Sequence, residues 1–402
     1  MSTTTTAALL LLSLSPAAAA GASFRKVTPG GGTNCAKGAP FAFYYRQGSV
    51  NKVVIEFQGG GACWNAATCA GLVPTYTTTA EPPNDEGIHS DTDARNPFKG
   101  WHHLFVPYCT ADAHGGNKTT EYEGLFGKVA IHHVGRVNAF AALDYVFANG
   151  PQSPDVVATV GCSAGSLGGI INAPYVFDHY PDARTLYFGD SYVGVISTVQ
   201  FKAGLENWDL QFDPMVKGLD KPSLERVGNN KTINAGVYII NATLSTYPKQ
   251  QFASYTSNDD AVQSTFFTLG AGIGSWVRFF FWGFVAATLL FVHRLALCCG
   301  SSSSSSSQTH SYCISSLFSL FLSLVSLFQP KRMRELTTEI HAIFPGQYAT
   351  FIAPGTRHCR TQDDGIYTVK SDNVMLSDWI MSVVAGAPSS RAVDCEHDGG
   401  RC

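Results

Sequence analysis

The 402-residue sequence is short of charge. Only 27 Lys and Arg stand against 30 Asp and Glu, a net of -3, and the two signs are mixed along the chain. No basic stripe is available to neutralise a phosphate backbone, so nucleic acid is not expected as a partner. No two cysteines have the two-residue spacing of a zinc knuckle and no His-Glu-x-x-His occurs, so zinc is disfavoured, and the serine chemistry read below requires no metal or organic cofactor. No apolar run reaches the roughly 20 residues that span a bilayer: Phe279–Val292 is short, and Ile314–Phe328 is short and studded with serine. What is abundant is core-forming residue, 45% of the chain, which excludes disorder throughout.

Cysteine is the other excess. Eleven are many for a cytosolic enzyme. Cys298, Cys299 and Cys313 fall in an anomalous segment, and the remaining eight (Cys35, Cys63, Cys69, Cys109, Cys162, Cys359, Cys395, Cys402) form an even set that reads as disulfides. Cys63 and Cys69 are close enough to staple one loop, and Cys395 could pair with Cys402 across the Gly-rich tail. The first residues hold an apolar run, Ala7–Leu12, and then small residues suited to cleavage, the form of a signal peptide over 1–20 without its positive start. Acceptor sequences at Asn117, Asn230 and Asn241 fit a glycosylated chain. The expected product is secreted, with one domain over 21–402 that is interrupted at about 275–329.

Short runs rich in Val, Ile and Phe, each ending in Gly, Pro, Cys or Asp, read as strands: Val53–Phe57, Leu104–Tyr108, Val156–Val160, Thr185–Phe188, Val237–Ile240 and Tyr348–Ile352. Between two of them Val137, Phe140, Ala141, Asp144 and Phe147 trace one face of a helix that stops at Gly150-Pro151. Apolar strands separated by helices predict an α/β fold, a mostly parallel sheet covered by helices on both faces. Its chemistry belongs at the carboxyl ends of the strands.

The pentapeptide Gly161-Cys162-Ser163-Ala164-Gly165 has the G-x-S-x-G form between an apolar run and a small-residue helix start, which makes Ser163 the candidate nucleophile. Gly59-Gly60-Gly61 follow another strand, and the amides of Gly60 and Gly61, with that of Ala164, are the candidate oxyanion donors. A serine of this kind needs a base and an orienting carboxylate in the order Ser, Asp, His. His358, in the loop after the last strand run, is the candidate base. Asp260 is the candidate acid, with Asp259 and Asp190 as alternatives. Capping of the following AVQSTFF helix is the competing role for Asp259 or Asp260.

These residues resemble the pectin acetylesterase and Notum family of α/β-hydrolases. The likeness rests on FQGGGACWN, VPYCTADAHGGN, GCSAGSLGG, the D-x-x-Q of Asp260–Gln263, and His358-Cys359. It implies an extracellular carboxylesterase with a Ser, Asp, His triad and the acid at Asp260. The expected substrate is an acetylated polysaccharide such as pectin, with lipid or protein deacylation second because Gly61 and Ala62 offer no large apolar wall. The chain departs from the family at Gln58, where many members carry Glu, and at the third glycine and Ala62. Two other classes stay open: an inactive relative that binds glycans in the same cleft, and a membrane-anchored receptor-like protein.

Residues 275–329, with Ser301–Ser307 at their centre, fit none of this. They read as retained intron sequence or, failing that, a membrane hairpin. The expected outcome of deleting Ser275–Gln329 is a soluble, active esterase, checked by size exclusion and ester turnover. A full-length chain that is soluble and active beside an unfolded deletion variant would make the segment genuine structure.

Overall fold

In the computed structural model the described residues are 23–71, 75–191, 196–230, 233–270, 333–387 and 392–398. The expected signal peptide and the 275–329 segment both lie outside them. The chain leaves the described part after the helix Ala261–Gly270 and returns in a helix over 333–343, whose Met333, Leu336 and Ile340 are buried in the core.

Thirteen strands are present among the described residues. Nine of them form one sheet in the order β1 (Arg25–Val27), β2 (Phe43–Arg46), β4 (His102–Val106), β3 (Lys52–Phe57), β7 (Val156–Cys162), β8 (Arg184–Asp190), β9 (Gln251–Ser257), β10 (Tyr348–Ala353) and β13 (Val393–Asp394). The pairs β1–β2 and β2–β4 are antiparallel, and every pair from β4 to β13 is parallel. Two antiparallel pairs stand apart, β5 (Lys118–Gly124) with β6 (Gly127–His133) and β11 (Lys370–Ser371) with β12 (Val374–Met375).

The central strands are apolar on both faces because both faces are covered. In β7, Val156, Ala158 and Val160 join the cluster that holds Leu376, Trp379 and Ile380 of the helix Leu376–Val384. Val157 points the other way, to Ala139, Ala142, Leu143 and Val146 of the helix Gly135–Asn149. The expected α/β architecture is therefore present. Its strand order reverses between β3 and β7, whose registers pair Phe57 with Gly161, and a crevice opens at such a reversal, beyond the carboxyl ends of the strands.

One strand assignment needs correcting. Val237–Ile240 is not a strand but lies inside the helix Ala235–Thr246. The Asn234 side chain caps this helix by accepting from the Val237 amide at 3.0 Å, and Val237, Ile239 and Ile240 are buried. A four-residue apolar run carries no period that separates a buried helix turn from a buried strand. The real strand at this point is β9, which leads directly to Asp260.

The segment after β4 seats the helix Ala164–His179 on the sheet. Ala111, Ala113 and His114 all adopt positive φ, and a Cβ on Gly168 would stand 2.7 Å from the His114 ring. Burial holds the His114 imidazole down at about 4, only partly offset by its Nε2 bond to the Gln58 carbonyl. The unfolded chain takes up this proton near 6.5. The contribution of His114 to stability is thus complete above pH 6.5 and is lost as the pH falls toward 4. His114→Gln, which keeps a donor for Gln58, should flatten the acid slope of unfolding free energy by on the order of 3 kcal/mol in urea titrations.

Candidate active site

Three parallel strands, β7, β9 and β10, deliver the candidate residues, with β8 between the first two. Ser163 follows β7 at φ 57° and ψ -123°, a sharp turn straight into the helix Ala164–His179. The turn is possible only because its flanks lack side chains. A Cβ on Gly161 would come within 2.0 Å of the Gly165 carbonyl oxygen, and one on Gly165 within 1.9 Å of the Phe57 oxygen. Asp260 lies three residues past β9, and His358 five residues past β10.

Asp260 is buried and faces His358. The imidazole Nδ1 lies 2.9 Å and 2.8 Å from the two carboxylate oxygens. A carboxylate only accepts, so Nδ1 carries the hydrogen and Nε2 presents its lone pair. Nε2 has no hydrogen-bond partner among the described residues. The same carboxylate accepts from the amides of Val262 and Gln263, at 3.0 and 2.9 Å, and from Gln263 Nε2 at 3.0 Å. Capping and orientation, which were rivals for Asp260 in the sequence, are thus both present in one side chain. Gln263 explains the D-x-x-Q spacing: its amide bridges Asp260 to Thr256 Oγ1.

The alternative acids are placed elsewhere. Asp259 accepts from Asn258 Nδ2 at 3.2 Å. Asp190, at the end of β8, is buried and accepts from the amides of Arg360 and Thr361 and from Thr361 Oγ1, each at 2.7 Å, and from Ser191 Oγ at 2.8 Å. It holds the loop that bears His358 rather than the imidazole itself. Burial pushes its carboxyl up, and the bonds from Thr361 and Arg360 counter that push.

A disulfide closes the arrangement. Cys162 immediately precedes Ser163, Cys359 immediately follows His358, and the two are bonded with their Cα atoms 5.9 Å apart. The expected Cys63–Cys69 staple is also present, as is Cys35–Cys109. Cys395 is disulfide-bonded too, whereas its expected partner Cys402 lies outside the described residues. Among the described residues the one grouping compact enough for a metal is Cys63, Cys69 and His133, and both of its thiols are spent in the disulfide.

Ser163, His358, Gly61 and Ala164 line one cleft with about 90 Å³ of free space. Gly60 is not on its wall; a Cβ there would meet Thr77 and Tyr108. The walls are Trp64, Leu167, Ile196, Trp208, Val262, Phe266 and Phe267. These apolar walls were missed in the sequence because they come from four separated segments. Beyond Leu167, Ile196, Gln200 and Trp208 a smaller void continues among Phe201, Leu210, Phe212 and Ile239.

A parallel sheet with a serine on a strained strand-to-helix turn, beside a histidine that is bonded to a buried aspartate, is the arrangement of the α/β-hydrolase class. Residues 24–193 match the family model described as Pectinacetylesterase, so the family resemblance extends over the glycine loop and the elbow. Pectin acetylesterase 4 of Arabidopsis thaliana is 24% identical over 163 residues, 39% of this chain and 39% of its own. Pectin acetylesterase 11 of the same plant is 28% identical over 149 residues, 35% of this chain and 37% of its own. Palmitoleoyl-protein carboxylesterase notum2 of Xenopus laevis is 31% identical over 150 residues, 34% and 29% of the two lengths. The matches thus span less than two fifths of each curated relative. No helix among the described residues is long and apolar enough to cross a membrane.

Removing the Cys162–Cys359 bond by a Cys162→Ala, Cys359→Ala double substitution should lower stability by about 2–4 kcal/mol, read in denaturant titrations under oxidising conditions. Ester turnover should fall further than the loss of folded protein explains, because the bond joins the neighbours of the candidate residues Ser163 and His358.

Proposed function

We propose that this chain is a serine carboxylester hydrolase in which Ser163 is the nucleophile, His358 the base and Asp260 its orienting carboxylate. The observation that carries this reading is the imidazole of His358. Its Nδ1 is committed to a buried carboxylate, while its unpartnered Nε2 belongs to a side chain that lines the same cleft as Ser163.

Nε2 takes the Ser163 proton as Oγ attacks the ester carbonyl, and Asp260 stabilises the imidazolium that forms. The amides of Gly61 and Ala164 receive the developing oxyanion, with Gly60 beside Gly61 in the glycine loop. Collapse of the tetrahedral intermediate expels the alcohol, which takes the proton back from His358. Water then repeats the attack on the acyl-Ser163, and the carboxylic acid leaves. Every step uses side chains and amides of this chain.

The substrate we favour is an acetyl ester on a polysaccharide such as pectin, in line with the relatives' names, and the setting is extracellular, in line with three disulfides among the described residues. A second reading, removal of a longer acyl chain, is favoured by the cleft walls. Trp64, Trp208, Phe266 and Phe267 supply the apolar wall that Gly61 and Ala62 do not. Ser163→Ala should abolish turnover of an aryl acetate while leaving the fold intact, and Asp260→Asn should reduce kcat by about 10⁴. Acetylated pectin against acyl esters of rising length separates the two substrates. Retained activity in Ser163→Ala, or failure of the wild type to react with a fluorophosphonate, would remove the assignment.

A further inference from the structure

Away from Ser163, on β3, a second carboxylate is buried that the reaction does not use. Glu56 accepts from three side chains: His89 Nε2 at 2.9 and 3.0 Å, His103 Nε2 at 2.9 Å, and Gln362 Nε2 at 2.9 Å. The last belongs to the loop of His358. Glu56, His89 and His103 are each no more than 3% exposed.

The protonation of His89 follows from its two partners. Nε2 meets the Glu56 carboxylate, which can only accept. Nδ1 meets Asn84 Oδ1, and that amide is oriented by its own Nδ2, which donates to the Gln362 carbonyl at 3.0 Å. An amide oxygen also only accepts, so both ring nitrogens must carry hydrogen. The four groups close a ring: Glu56, Gln362, Asn84 and His89. Around it the loops interlock, for the Ile88 amide donates to the Thr361 carbonyl, and a Cβ on Gly87 would stand 2.2 Å from that same oxygen.

We propose that His89 is a buried imidazolium, paired with Glu56, and that this pair positions the His358 loop for the reaction. His89 touches no reacting atom, and its role rests on His358 being the base. The charged groups facing it come from every neighbouring element. Glu56 stands on β3 and neutral His103 on β4. Arg46 of β2 donates to the His89 carbonyl and interacts with Asp85 and Asp91. Burial holds His103 down at about 4, so it donates from Nε2 as the neutral ring. Burial alone would raise the Glu56 carboxyl, but His89 and His103 outweigh it and keep it well below the ordinary carboxylate range.

Two measurements test this. Nitrogen NMR of the full chain labelled with ¹⁵N-histidine, with the His89 signal identified by its loss in His89→Gln, should find both ring nitrogens protonated. Gln362→Met breaks the link between Glu56 and the loop while keeping side-chain length. Its kcat for p-nitrophenyl acetate should fall about tenfold with KM nearly unchanged, the signature of a misplaced base. A neutral His89 overturns the charge, and an unchanged kcat in Gln362→Met overturns the positioning role. A wild type that labels with fluorophosphonate yet hydrolyses no acetate, or fails to label, would instead sink the esterase reading and with it the positioning role, leaving the nitrogen spectrum to decide the charge alone.

Discussion

The loop that carries His358 is held against the end of β8 by a buried carboxylate, that of Asp190. A carboxylate with no solvent contact is tolerable only when its lone pairs are occupied, and here two amides and two hydroxyls occupy them. Those four donors come from Ser191, Arg360 and Thr361, so satisfying Asp190 requires the residues just after His358 to lie against the end of β8. Ser191 extends the hold by accepting from the Cys359 amide through Oγ at 2.8 Å. With the disulfide to Cys162, the position of the imidazole follows from groups beside the site. The Asp190 oxygens are taken by Ser191, Arg360 and Thr361, whereas those of Asp260 meet the His358 imidazole.

The parts of the site that were legible in the sequence are those in which backbone geometry restricts residue type. Gly161 and Gly165 had to be glycine for the chain to turn at Ser163, so the pentapeptide could be read without coordinates. The glycine loop was legible for the same reason, and His358 from its place after an apolar strand. What was not legible is what depends on pairing across the sheet. That Cys162 faces Cys359 follows from the register of four strands rather than from spacing. Val237–Ile240 was misread because apolarity alone does not fix the period, while the signal that would have corrected it, Asn234 as a cap, lies outside the run. The aromatic walls were invisible for a related reason: Trp64, Trp208, Phe266 and Phe267 are each unremarkable apolar residues until the fold places them on one cleft.

The cleft combines an apolar interior with very few polar groups, chiefly Ser163, Ser191, Gln200, Gln263 and His358. In such surroundings a hydrogen bond or a developing charge is screened less than in water, which strengthens both the Asp260–His358 pair and any donor aimed at an oxyanion. The same surroundings penalise an unpaired charge. That is consistent with Asp260 being bonded on both oxygens, with Gln263 filling what the imidazole leaves.

Ser163 and His358 lie nearly two hundred residues apart in the chain, and this orders events during synthesis. A ribosome has delivered β3, β7 and the serine turn nearly two hundred residues before it delivers β10, and the thiol of Cys162 must wait for Cys359 across that interval. An early stop codon or proteolytic nick upstream of β10 would thus leave a product that carries the whole 24–193 match and Ser163 but lacks the candidate base His358. The stretch that matches the family model is thus finished long before the residues that complete the candidate site.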